Sequence, residues 1–141
     1  LAEAGTAVFE WPVRVYWEDT DAGGIVFYAN YLKFFERART EWLRHLGIEQ
    51  EALRRSTGGF FVVSQTEVRY LKPARLDDLL CVTARLDKTG RGSLVIGQEA
   101  RMEKCRSLLA EATIRIGWVD DVSLKPSRIP ALVLTQLRAS A

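Results

Sequence analysis

Two carboxylates, Asp19 and Asp21, stand just ahead of the paired glycines Gly23 and Gly24 in the stretch EDTDAGGIVFYANY at residues 18–31. An amphipathic pattern opens directly afterwards, so a helix is expected to begin near Tyr28 to Asn30 and to direct its free N–H groups and positive dipole end at the adjoining cleft. Such an end stabilises the oxyanion that develops when an ester, amide or thioester is hydrolysed. Asp19 or Asp21, a few residues upstream across the Gly-Gly pair, then suits general-base attack through water or direct nucleophilic attack on the same carbonyl carbon. The same composition also fits a plain turn, in which Asp and Gly serve conformation alone.

Other chemistries find less support. The single histidine, His45, falls near the end of the helical pattern, far in sequence from any obvious serine or cysteine nucleophile, and suits the dipole and free carbonyls of a last helical turn. Cys81 and Cys105 have no second Cys or His at ligand spacing, so both read as reduced thiols rather than as part of a zinc site or disulfide framework. Lys and Arg number 20 against 18 for Asp and Glu, with the two signs interspersed, which is no footprint for nucleic acid. No apolar run reaches the length of a membrane span, and the first residues, LAEAGTAVFEW, lack a signal-peptide layout, so a cytoplasmic location is expected.

The elements that must position the carboxylates can be read from periodicity. With 141 residues, 48% of them apolar, the chain suits one domain over 1–141 with an ordered core from about 12 to 137 and a frayed start. Residues 12–19 alternate, placing Val13, Val15 and Trp17 on one side, as in a half-buried strand. From Asn30 the period lengthens: Tyr31, Phe34, Phe35, Ala38, Trp42, Leu43 and Leu46 form one helical face, Gly47 stands just past the end, and Arg37–Glu41 and Glu36–Arg39 are at pairing distance. A short second helix within 47–59 precedes strands at 60–73, 79–88, 94–104 and 108–118. The TGRGS loop at 89–93 joins antiparallel neighbours, although a glycine-rich loop can also cradle phosphate. In the last strand Leu108, Ala110, Ala112, Ile114, Ile116 and Trp118 alternate, and the small pair at 110 and 112 calls for a bulky neighbour, for which the aromatic helix is the candidate. Residues 131–137 fit either a strand or a helix. Strand, long helix, then a run of antiparallel strands is an α+β order with one helix packed on one sheet.

Resemblance sharpens the reading. The stretch YWEDTDAGGIVFYANYLKFFERARTEWL closely resembles the signature of hotdog-fold thioesterases of the 4-hydroxybenzoyl-CoA thioesterase type, in which Asp-x-x-Gly-x-Val precedes an aromatic or His, a small residue or Pro, and Asn-Tyr. ERARTEWLRHLG, VRYLKPARLDDLL and IRIGWVDDVSLKPSRIP are similar to the Tol-Pal-associated acyl-CoA thioesterase branch, so the likeness runs over about residues 12–130. It implies a hotdog fold, an antiparallel sheet wrapped around a long central helix, with protomers pairing through continuous sheets and active sites at the dimer interface.

By the same resemblance the reaction is hydrolysis of acyl-CoA to free CoA and a carboxylic acid, without a metal or other cofactor. Asp21, three positions before Gly24, matches the catalytic carboxylate, and the backbone N–H of Tyr28 matches the group that polarises the thioester carbonyl. Gly24, Ile25, Val26 and Asn30 belong to the substrate-binding signature, and Asp19 reads as a structural neighbour. Lys72, Arg75, Lys88 and Arg91 are candidates for the CoA phosphates. The implied partners are acyl-CoA, acyl carrier protein and further copies of the chain in a homodimer or homotetramer. One departure stands out: the Tol-Pal-associated branch often carries histidine where this chain has Tyr28, and a phenol donates hydrogen bonds but is a poor general base near neutral pH. A non-catalytic binder of acyl-CoA or acyl carrier protein beside a cell-envelope complex is the alternative.

Overall fold

The computed structural model describes residues 8–139. Five strands, β1 (Phe9–Arg14), β2 (Gly59–Tyr70), β3 (Leu79–Thr89), β4 (Ser93–Met102) and β5 (Leu108–Asp120), form one antiparallel sheet in the order β1-β3-β4-β5-β2. The helices are α1 (Tyr31–His45), α2 (Gln50–Thr57) and α3 (Ala131–Arg138). Residues 131–137, open between strand and helix by pattern, are helical and bury Val133 and Leu137.

Helix α1 forms because its apolar positions recur every three to four residues, and that face, Tyr31, Phe34, Phe35, Ala38, Trp42 and Leu43, is buried. Phe34 and Phe35 are fully enclosed in the same cluster as Leu80, Val82, Ile96, Ala110 and Ile114, each ring contributing roughly 1.5–3 kcal/mol of burial. The helix ends in a Schellman arrangement. Gly47, at φ 84°, donates to Arg44 O (2.9 Å), and Ile48 donates to Leu43 O (2.8 Å).

One polar tie crosses the apolar layer. Gln98 of β4 is 1% exposed; its Nε2 donates to Phe35 O of α1 and Thr83 O of β3, both at 3.0 Å, and its Oε1 accepts from Arg39 at 3.1 Å. This changes the surface pairing expected for the helix. Arg39 turns inward, Glu41 pairs with Arg44 (2.7 Å), and Glu36 accepts from Thr40 (2.6 Å).

Several boundaries and one alternation differ from the sequence reading. The first strand begins at Phe9, pairing with Ala84, so residues 9–11 are sheet rather than frayed; residues 1–7 lie outside the described ones. It also ends sooner, at Arg14. Val13 and Val15 are buried as expected, but Trp17 is 80% exposed, because the Asp19 carboxylate accepts the Tyr16 N–H (2.8 Å) and folds Trp17–Asp19 into a 3-10 turn. In β5 the alternation holds from Ala110 to Trp118 but breaks at its start, where Leu108 is half-buried and Leu109 buried. Arg101 pairs with Leu108 and Ala100 with Ala110, so Leu109 is an extra, bulged residue. Its carbonyl accepts from Leu71 (2.8 Å) and Lys72 (3.1 Å), which ends β2 before Pro73.

The start of β2 is tightly constrained. A Cβ on Gly59 would lie 2.5 Å from Nε1 of the buried Trp118 indole, a rigid neighbour. Gly59→Ala is expected to destabilise the fold by about 1–3 kcal/mol, read as a lower urea midpoint at unchanged slope.

Candidate active site

The acidic turn is built by short-range hydrogen bonds. Thr20 and Val26 form a bridge, Asp21 N–H donates to Ile25 O (2.9 Å), and Gly24 N–H donates back to Asp21 O (3.0 Å). Gly24 has a φ of 78°, which a residue with a Cβ adopts at a cost, so glycine is favoured there by the turn itself. The exposed Asp21 carboxylate accepts the Gly23 N–H through Oδ1 at 2.8 Å, the geometry of an Asx turn. A second set of bonds docks the turn on its surroundings: Val26 N–H donates to Ala74 O (2.9 Å), and Ile25 bridges Arg75.

Asp19 fastens this loop to the helix. It is 3% exposed, its carboxylate holds Tyr16, and its carbonyl accepts both the Phe27 N–H (2.9 Å) and Asn30 Nδ2 (2.9 Å). Asn30 therefore does not cap α1, although it stands at the N-cap position; its amide reaches back to the acidic loop. A 3-10 turn at Tyr28–Asn30 leads into α1, and Asn30 N–H donates to Phe27 O (2.8 Å). Among the described residues, the N–H groups of Tyr28 and Ala29 donate to no protein acceptor.

Tyr28 lines a cavity of about 250 Å³ together with Ile25, Val26, Tyr31, Tyr70, Leu71, Lys72 and Pro73. Tyr28 is 63% exposed, with its ring against Phe27 (4.8 Å) and edge-on to Tyr70 (6.1 Å). The buried Tyr31 hydroxyl accepts the Ala74 N–H at 3.2 Å, and burial pushes its phenol pKa up. A wider hollow of about 540 Å³ lies against Glu67, Arg69, Arg85, Glu99 and Glu111, but most of its charges are paired, as in Arg69–Glu111 (2.8 Å), Arg85–Asp87 (2.8 Å) and Arg101–Glu99 (2.8 Å). Among the described residues, no three His, Cys, Asp or Glu side chains are grouped as a metal site requires.

Comparison gives this arrangement of turn and cavity a family. The model of the thioesterase superfamily matches residues 23–109, and the acyl-CoA thioester hydrolase YbgC of Escherichia coli O6:H1 is 42% identical over 94% of this chain and 98% of its own length. The chain belongs to the thioesterase superfamily. The acyl-CoA thioesterase YbgC of Haemophilus influenzae is likewise 42% identical, over 86% of this chain and 88% of that protein. The solved structure of a probable thioesterase from Bartonella henselae superposes with a TM-score of 0.81 at 33% identity, covering 88% of this chain and all of the other. This thioesterase has the hotdog fold, its α1 packed on one face of the antiparallel sheet.

The six residues singled out from sequence divide by position. Ile25, Val26 and Tyr28 line the cavity, Asp21 and Gly24 form the exposed turn that leads to it, and Asn30 ties that turn to the helix start. Of the four cations considered for phosphates, Lys72 lines the cavity and donates to Ser107 Oγ (3.1 Å), Arg75 adjoins Ile25 through the backbone, and Lys88 and Arg91 lie at the β3–β4 hairpin. Tyr31, Tyr70, Leu71 and Pro73 were missed as cavity residues. Tyr31 was absorbed into the helical core pattern, and the others lie more than 40 residues from the acidic turn, at the end of a strand whose fold neighbours no local pattern reveals.

Asn30→Ala is expected to lower stability by about 1 kcal/mol in urea titration, by loss of one side-chain hydrogen bond, and to reduce thioester turnover as the acidic loop loosens from the helix. Alkaline titration checks Tyr31. Because its folded pKa is raised above 10.0 by burial, the associated stability is complete below that pH and is lost as pH climbs through the folded value. Tyr31→Phe should show a smaller loss of stability above pH 10.0 than the unmodified chain.

Proposed function

We propose that this thioesterase hydrolyses acyl-CoA to free CoA and a carboxylic acid, with Asp21 as nucleophile or general base and the Tyr28 N–H as oxyanion donor. The observation that carries the reading is the uncommitted Tyr28 N–H at the start of a helical turn, beside an apolar cavity and downstream of the Asp21 loop. As nucleophile, a carboxylate oxygen of Asp21 attacks the thioester carbon, the C–S bond breaks, CoA leaves as thiolate and takes a proton from solvent, and water cleaves the acyl anhydride. As general base, Asp21 takes a proton from the attacking water, and the tetrahedral intermediate expels the same thiolate. In both routes negative charge grows on the carbonyl oxygen. A fixed amide donor there accelerates the step more than it tightens ground-state binding.

The substrate reading is supported by the named activity of the Escherichia coli and Haemophilus influenzae relatives. Homodimer or homotetramer formation fits the shape of the sheet: β2 is a 12-residue edge strand, largely exposed, and a second copy paired along it would extend the sheet and satisfy its open backbone groups. A cytoplasmic location fits the substrate, and no helix among the described residues is long and apolar enough to cross a membrane. Tyr28, where the histidine-bearing branch differs, favours a second reading: a non-catalytic binder of acyl-CoA or acyl carrier protein beside a cell-envelope complex such as Tol-Pal.

Free-thiol release from acetyl-, hexanoyl-, palmitoyl- and benzoyl-CoA separates the two. Hydrolysis of at least one ester is expected, with kcat falling by about 100-fold or more in Asp21→Asn. Full turnover in Asp21→Asn overturns the carboxylate's role, and tight binding without hydrolysis in the unmodified protein selects the binder.

A further inference from the structure

Tyr70 closes β2, and its ring stands edge-on to Tyr28 (6.1 Å, 88°) and to Tyr31 (5.5 Å, 63°). Its hydroxyl donates to the Tyr28 carbonyl at 2.9 Å. That carbonyl and the uncommitted Ala29 N–H belong to one planar amide, so the bond reaches both residues of the donor turn. A donor on the oxygen of an amide polarises it and strengthens its N–H as a donor in turn. It also restrains rotation of the plane. The chain that carries the phenol is itself held, since Leu71 and Lys72 both donate to the bulged Leu109 carbonyl. A phenol is protonated near neutral pH, so the hydroxyl is available as the donor.

We propose that Tyr70 is a positioning residue for the oxyanion site, its phenol holding the amide between residues 28 and 29 so that the Ala29 N–H faces the reacting carbonyl beside the Tyr28 N–H. This rests on the Tyr28 N–H being the oxyanion donor. Tyr70 exchanges no proton with the substrate and forms no bond to it. Its effect is exerted when charge develops, so it belongs in kcat rather than in KM.

Tyr70→Phe removes the hydroxyl and keeps the ring contacts. With the most rapidly hydrolysed ester of the panel above, kcat should fall about 3- to 10-fold, the worth of one hydrogen bond, while KM stays within about 2-fold. The second readout is the infrared carbonyl band of the same ester, labelled with carbon-13 at the carbonyl and bound to Asp21→Asn. The band should shift to lower frequency on binding and return part of the way when Tyr70→Phe is added. Unchanged kcat, a rise in KM alone, or a fall in kcat with the band unmoved by Tyr70→Phe overturns the positioning role. A band that does not shift in Asp21→Asn itself overturns the oxyanion reading and this proposal with it, whereas a shift of equal size with and without Tyr70→Phe overturns this proposal alone.

Discussion

The backbone carbonyl of Asp19 is the joint on which the site depends. It accepts two donors from the far side of the loop, the Phe27 N–H and Asn30 Nδ2, and so closes residues 19–30 into one unit. Without those bonds the Asp21 turn would be attached to the helix start only through the chain between them. The carboxylate of Asp19, buried and holding the Tyr16 N–H, fixes the other side of the joint by ending β1. One residue thus positions both the acidic turn and the first turn of the helix.

The helix that receives this unit is held by two kinds of force. Burial of its aromatic face supplies most of the stabilisation, but apolar contact is non-directional and leaves a helix some freedom to slide. Gln98 removes that freedom by donating to Phe35 O and Thr83 O at once, in a place where leaving either of its amide N–H groups unpaired would be expensive. The free N–H groups at Tyr28 and Ala29 inherit their position from this tie and from the Asp19 joint.

The cavity walls come from three separate parts of the chain. Ile25 and Val26 arrive with the acidic loop, Tyr31 with the helix, and Tyr70 to Pro73 with the end of β2. The bulge at Leu109 decides where the last group sits, because its carbonyl gathers the Leu71 and Lys72 N–H groups and turns the chain out of the sheet. A single extra residue in β5 therefore shapes the cavity next to Tyr28.

What the sequence determined by itself is whatever depends on neighbours along the chain. The long helix, its Gly47 stop, the β3–β4 hairpin, the alternation from Ala110 to Trp118 and the turn formed by Asp21, Gly23 and Gly24 all follow from local period or local backbone preference, and the motif order carried the family. Only the tertiary structure decided that Trp17 faces outward, that Leu109 is bulged, that Arg39 turns in to Gln98 and that Tyr70 reaches the Tyr28 carbonyl 42 residues away. The last two are hydrogen bonds and the bulge a register choice between separate segments, which residue spacing cannot specify until the sheet and helix have brought the partners together. Trp17, by contrast, turns outward because a bond from the Tyr16 N–H to the Asp19 carboxylate overrides the strand alternation.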